Sequence, residues 1–170
     1  MENLTYRQII SELSYHQMLS ILESLGEDVS IRKRITELAS GLLAQLNEDE
    51  LADLLFERLN AINVVDLWES SGKGYYGYND PVDVANDMLN DEVQPFRDEM
   101  LKYRRLGLKE QEEICFRAIV RGLLRYDKEG DNEFRDWVPD DPLDTVDNEF
   151  YEWHQEHPEV EMEKLKKMLG

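Results

Sequence analysis

The chain has 170 residues, enough for one domain or two small subdomains sharing a core without covalent staples. Its 38 acidic and 19 basic residues give a formal net charge of −19, which argues against binding nucleic acid or anionic lipid through overall charge, because both would repel it. The single cysteine, Cys115, has no partner for a disulfide or a C-x-x-C pair, and Arg7 and Glu12 interrupt the N-terminus too early for a signal peptide. These features predict a soluble, cytoplasmic protein without a membrane span.

In chain order, helical periodicity dominates. The stretch SIRKRITELASGLLAQL sets Ile31, Ile35, Leu38, Leu42 and Leu46 on one helix face, with Arg32, Lys33, Arg34 and Glu37 on a wet one. NEDELADLLFERL repeats the pattern with Leu51, Leu54, Leu55 and Leu59, and INVVDLW adds an apolar turn with Val65 and Trp68. A shift of 33 residues lays Ser14 and Gln17 on Asn47 and Glu50, each a cap residue followed three positions later by Gln or Glu. A period in the thirties is typical of stacked helix pairs, in which neighbours complete each other's core.

The glycines of SSGKGYYGYND satisfy the lettering of a dinucleotide fingerprint at 72, 74 and 77. That chemistry needs a strand before the first glycine and a helix opening at the turn, whereas here a helix ending near Trp68 precedes them and Asp80 would repel phosphate. The stretch therefore reads as an inter-helix hinge. Tyr75, Tyr76 and Tyr78 either seal the seam between two helical halves or face outward and hold a peptide. Asp80 and Pro81 then cap a new helix, Pro95 either kinks it or opens another, and Gly107 closes it.

From Leu108 to Tyr126 runs the best amphipathic segment, with Cys115, Ala118, Ile119, Gly122 and Leu123 on one face and Arg117, Arg121 and Arg125 on the opposite one. Ile114, Val120 and Leu124 fall off the main stripe and predict contact with more than one neighbour. The arginines form the most concentrated positive surface of the chain. They suit either a phosphate or the acidic stretch 127–163, whose 15 acids and two bases carry a local charge of −13. In that stretch Val146, Phe150 and Trp153 step by four and three after Asp141-Pro142, predicting a short helix; another from about Glu159 would present Met162, Leu165 and Leu169.

Three further patterns fall short of a site. His154 and His157 could share a metal one turn apart, but Pro158 follows at once and four protein ligands are wanting. DKEGDNEF hints at a calcium loop, yet its glycine stands two positions early and Val138 takes the place of the bidentate Glu. Cys115 lies on an apolar face with no His to activate it.

ELSYHQMLSILESLGEDVSIRKRI, together with GYNDPVDVANDMLNDEVQPFRDEMLKYRRLGLKEQEEICFRAIVRGLLRYDKEGD, resembles the helical-repeat region that accompanies SWIM-type zinc fingers in prokaryotic proteins. The likeness spans most of residues 9–136, rests on Leu, Asp-Pro and Gly positions, and implies a helical scaffold of TPR or HEAT type. The zinc finger's own C-x-C…C-x-H ligands are absent, so neither a metal site nor a catalytic residue carries over.

The expected fold is all-α: stacked antiparallel helix pairs in one domain, comprising an N-terminal repeat region 1–69, a Gly/Tyr hinge 70–80, a second pair 81–126 and an acidic aromatic tail 127–170. The expected role is a non-enzymatic, cofactor-free interaction module presenting a helical groove to a protein or peptide partner. Its candidate surface is Tyr75, Tyr76, Tyr78, Arg117, Arg121 and Arg125. An alternative is an acidic regulator whose residues 127–163 mask a basic surface on itself or on a nucleic-acid-binding partner. A third is a metal-dependent hydrolase using His154 and His157.

Overall fold

A computed structural model of the chain describes residues 6–43, 45–74, 77–161, 163, 165 and 167. These residues are mostly helical, with almost no strand, as the periodicity predicts. They divide into two compact units, Met1–Gln45 and Leu46–Gly170.

In the first unit, α1 spans Tyr6–Ser11, α2 Tyr15–Leu25 and α3 Val29–Leu43. Ser14 opens α2 with the predicted capping box: Gln17 N donates to Ser14 Oγ at 3.3 Å, and Ser14 N donates to Gln17 Oε1 at 2.9 Å. Asp28 stands just before α3 and accepts from Ser30 Oγ, Ser30 N and Ile31 N. Those bonds, the Ser30 hydroxyl foremost, hold its carboxyl below the usual range.

The second unit begins with α4, Glu48–Asn60, and α5, Val64–Ser70. The repeated cap is present here in altered form: Asn47 Oδ1 accepts from Asp49 N and Glu50 N, while Asn47 Nδ2 donates to Glu50 Oε1 at 3.1 Å. The division between the two units falls between Gln45 and Leu46. Within the second unit α4 lies on α7, Lys109–Glu129, and α5 on α6, Pro81–Leu106.

The Gly/Tyr stretch is not a plain loop. Gly72–Gly74 (β1) and Gly77–Asn79 (β2) pair antiparallel, with Gly72 opposite Asn79 and Gly74 opposite Gly77. Gly72 at φ +90° and Gly77 at φ +145° take backbone conformations that other residues rarely adopt. A strand therefore follows the first glycines where a pyrophosphate site needs a helix. Asn79 Nδ2 donates to Ser70 O at 3.1 Å, closing the ladder onto the end of α5.

Asp80 caps α6 through a 2.9 Å bond from Val82 N, with Pro81 in the first turn. The helix continues through Pro95, so no second helix opens there. It stops at Gly107 in the left-handed region, φ +69°, where Leu108 N donates back to Tyr103 O.

α7 is the centre of the unit and packs against α4, α6 and α8, Asp141–Glu156. Val120 is buried and Ile114 and Leu124 are half-buried, which is how a helix with three neighbours spends the residues off its main stripe. Toward α4, Gly122 lets Leu55 approach so closely that a Cβ there would meet Leu55 side-chain atoms at 2.9–3.0 Å. Toward α8, the Phe116 ring stacks on Trp153 at 4.3 Å and meets Phe150 edge-on at 5.4 Å. The 3-10 helix Glu133–Trp137 bridges α7 and α8 and buries Phe134. Beyond α8, Leu165 is buried, while Met162 and Leu169 lie outside the described residues.

Candidate interaction surface

The arginines of α7 fall on one face as predicted, but the groups opposite them belong to α4. Arg117 Nη2 lies 2.7 Å from Glu48 Oε2. Arg121 Nη1 reaches Glu48 Oε1 at 2.8 Å and Asp49 Oδ1 at 2.7 Å. Arg125 reaches Asp53 at 2.6 Å and lies over the Phe56 ring, 4.1 Å from its centre. These bonds raise the arginines at 121 and 125 above their ordinary pKa, chiefly through Glu48 and Glu129 respectively. Of residues 127–163, among those described, Glu129 alone joins these pairs. Neutralisation within the chain is therefore supplied by α4, whose acids also sit favourably at a helix N-terminus. The acids paired with these three arginines are those of α4, Glu113 of α7 itself and, at Arg125, Glu129.

Tyr78 stands on the short ladder with 70% of its surface exposed. Tyr75 and Tyr76 lie outside the described residues. Trp68 of α5 is half exposed and meets Trp137 edge-on at 4.6 Å.

His154 is exposed, whereas His157 leaves the helix and turns inward, its Nε2 3.0 Å from Glu112 Oε1 and its ring 4.1 Å from Trp153. Among the described residues no group of three or more His, Cys, Asp and Glu is placed to hold a metal ion. DKEGDNEF serves instead as a polar clasp. Asn132 Nδ2 donates to the carbonyls of Leu59, Asn60 and Ile62, closing the C-terminal end of α4. Its Oδ1 accepts from Tyr126 Oη at 2.9 Å and from Arg135 N at 3.2 Å. Asn60 and Asp131 exchange two further bonds beside it.

A cleft of about 430 Å³ lies between α6, α7 and α8, lined by Arg97, Arg104, Phe116, Glu149 and Trp153 among others. Its charged groups serve one another. Arg97 donates to buried Glu149 at 2.5 Å and to Asn90, and Arg104 donates to buried Glu112 at 2.7 Å. Burial pushes the Glu149 carboxyl above its ordinary 4.5, with Arg97 pulling the other way. A smaller recess of about 200 Å³, with Leu51, Leu54, Pro95 and Phe96 in its wall, reaches Cys115. Burial pushes that thiol up to about 12, which keeps it an inert apolar group.

The largest unspent resource lies in the first unit. None of the residues of α2 and α3 is buried. Met18, Leu19, Ile21, Leu22 and Leu25 of α2, and Val29, Ile31, Leu38 and Leu42 of α3, are 37–75% exposed. Met18, Ile21, Leu22 and Leu25 recur at helical spacing, as do Ile31, Leu38 and Leu42 with Ile35 between them. Together the nine leave the equivalent of about 4.5 whole residues in water. At about 1.5–3 kcal/mol per fully buried side chain, that is about 7–13 kcal/mol of unused burial, as large as the whole stability of an ordinary domain. Periodicity identifies this face as apolar, but it assigns the face to a core that these helices do not enter.

Comparisons with protein-family models, with curated proteins and with solved structures find no match to this chain. No helix among the described residues is long and apolar enough to cross a membrane.

Proposed function

We propose that the chain is a non-enzymatic, cytoplasmic interaction module: a TPR- or HEAT-like helical scaffold, Leu46–Gly170, that carries an adhesive segment, α2 and α3, for a protein partner. The observation that carries this reading is the exposed apolar face of that segment. Exposed apolar side chains recurring along one face of a helix mark a contact site. Helices of 11 and 15 residues are too short to be stable on propensity alone, so their order depends on a surface to lie against. The polar clusters of the second unit support the same reading. Arg97 with Glu149, Arg104 with Glu112, and Asn132 with three carbonyls are each spent on joining elements. None is poised toward a substrate.

The test is capture from native lysate with the full chain and with Leu22→Glu/Leu38→Glu, at sites 48% and 56% exposed. The wild type should retain a partner in stoichiometric yield and the variant should lose it, with the tryptophan environment of the second unit unchanged. Equal recovery by both chains refutes the assignment of this face.

A further inference from the structure

Beyond the role given to α2 and α3, we propose that Trp68 and Trp137 form a docking site on the second unit for a basic protein segment, with an arginine of that partner seated against the two indoles. The site uses neither α2 nor α3, so it stands or falls apart from them. Trp68 comes from α5 and Trp137 from the 3-10 helix Glu133–Trp137, and both elements pack on α6. The rings meet edge to face, with centroids 4.6 Å apart and planes at 86°. In such a T the edge covers only part of the facing ring, so the rest of that face and the adjoining face of the edge-on ring bound a right-angled corner. Trp68 is half exposed, as is Val65 one turn before it on the same side, and Trp137 is only half-buried.

An indole face is the negative side of its quadrupole and attracts a cation held within about 6 Å. Two other rings of the unit take their cations from the chain itself: Arg125 lies 4.1 Å from the centre of Phe56, and Lys102 Nζ 4.7 Å from that of Tyr103. Among the described residues, no such cation lies over Trp68 or Trp137. The surrounding charge selects the occupant. Residues 59–96, which carry Trp68, hold seven acids against Lys73 alone, and residues 131–141, which carry Trp137, hold five against Arg135 alone. Arg135 is committed to Asp127 and to the carbonyls of Val138 and Pro139. Glu69 beside Trp68, and Glu133 and Asp136 before Trp137, are exposed. The surplus is felt at Asp141, just past Trp137: burial first, and then the charges of Asp144 and Asp140, raise its carboxyl above the ordinary 3.8 against a bond to Asn86 and the charge of Arg135. An apolar partner would leave these carboxylates unmatched. An arginine lays its planar guanidinium on an indole and turns its remaining N–H groups to carboxylates at the rim.

The deciding experiment titrates the isotope-labelled full chain with acetyl-Gly-Arg-Gly-Arg-Gly-amide, and with the same peptide carrying citrulline, the neutral isostere, in place of both arginines. The chain has three tryptophans, so their indole N–H resonances report on the site directly. Those of Trp68 and Trp137 should move with the arginine peptide and stay still with the citrulline one, while that of buried Trp153 should stay still with both. Trp68→Ala should keep its helical circular dichroism and bind the arginine peptide about two- to fivefold more weakly, the size of an exposed cation–π contact. Trp68→Phe, which keeps a ring face, should recover part of that loss. Resonances of Trp68 and Trp137 that do not move in the wild-type chain, or that move equally with citrulline, overturn the site whatever the variants do. Wild-type affinity in Trp68→Ala overturns it as well, because the acids would then be attracting the peptide by charge alone.

Discussion

Replacing Asn132 by alanine should be among the costliest single changes in the second unit, and its size can be worked from the bonds. The amide nitrogen serves three carbonyls, at 3.0 Å from Leu59 O and 3.2 Å from those of Asn60 and Ile62. The amide oxygen accepts from the fully buried Tyr126 through its hydroxyl, and from Arg135 N at the opening of the 3-10 helix. Stranding a buried hydroxyl costs about 1–3 kcal/mol, and freeing the carbonyl group adds about 0.5–1.5 kcal/mol. Losing a helix cap costs about 1 kcal/mol. The expected loss is about 3–5 kcal/mol, out of a stability of about 5–15 kcal/mol for a domain. Urea unfolding followed by tryptophan fluorescence measures it as a drop in midpoint at unchanged slope. Asn132→Asp sharpens the test, because it preserves both acceptances yet turns an acceptor toward three carbonyls. It should be no more stable than the alanine variant. Tyr126→Phe, which removes only the hydroxyl, should cost about 1 kcal/mol. A loss below about 1 kcal/mol for Asn132→Ala, or an aspartate variant near wild type, would refute the clasp.

The remaining expectations concern single contacts. Gly122→Ala pushes a methyl into Leu55 and should destabilise by about 1–3 kcal/mol despite alanine's helix propensity. Gly41→Ala, in α3 with nothing within 4 Å, should stabilise by about 0.5–1 kcal/mol. Thermal melts that rank the two the other way contradict the close approach of α4 and α7. Because burial raises Glu149, the folded chain holds that proton to higher pH than the unfolded one; this contribution is full below about 4.5 and is lost as pH rises through the raised value. Wild type should therefore lose stability relative to Glu149→Gln as pH climbs from about 4 to 7, and a relative gain would show that Arg97 outweighs burial. Cys115, buried with its thiol raised to about 12, should resist iodoacetamide in the native chain and react once urea unfolds it; native labelling at the unfolded rate would contradict its burial.

What the sequence made legible follows from how local each signal is. The cap at Asp80-Pro81, the stop at Gly107 and the buried stripe of α7 are read from residues within one or two turns, and all three stand in the structure. The Val146, Phe150 and Trp153 face of α8 likewise packs inward. The α4 partners of Arg121 and Arg125 were not legible, because Glu48, Asp49 and Asp53 lie 72 or 73 residues earlier and nothing local separates them from the acids after residue 126, of which only Glu129, one turn from Arg125, joins them. Charge totals pointed to the larger pool; geometry chose the nearer one. The short ladder at 72–79 was hidden for another reason: three-residue strands rich in glycine show neither alternation nor β-branched residues. The apolar face of α2 and α3 was visible as periodicity, yet a period states which side of a helix avoids water and is silent on what covers it.

The placement of acids on α4 bears on the proposed reading in one more way. Glu48 and Asp49, in the first turn of α4 where negative charge is already favoured, and Asp53 one turn further on meet the arginines of α7 directly. The strongest basic stripe is thereby used up inside the second unit, and the −13 of residues 127–163 is left largely to solvent and to Arg97, Arg104 and Arg125. A body so charged resists association through its own surface, since every copy and every acidic neighbour meets the same sign. Association with any partner that is not basic would then have to be delegated to the part of the chain that is nearly neutral and apolar, which is residues 15–43. A chain with the opposite layout, its apolar helices on the charged unit, would set burial against repulsion at a single surface.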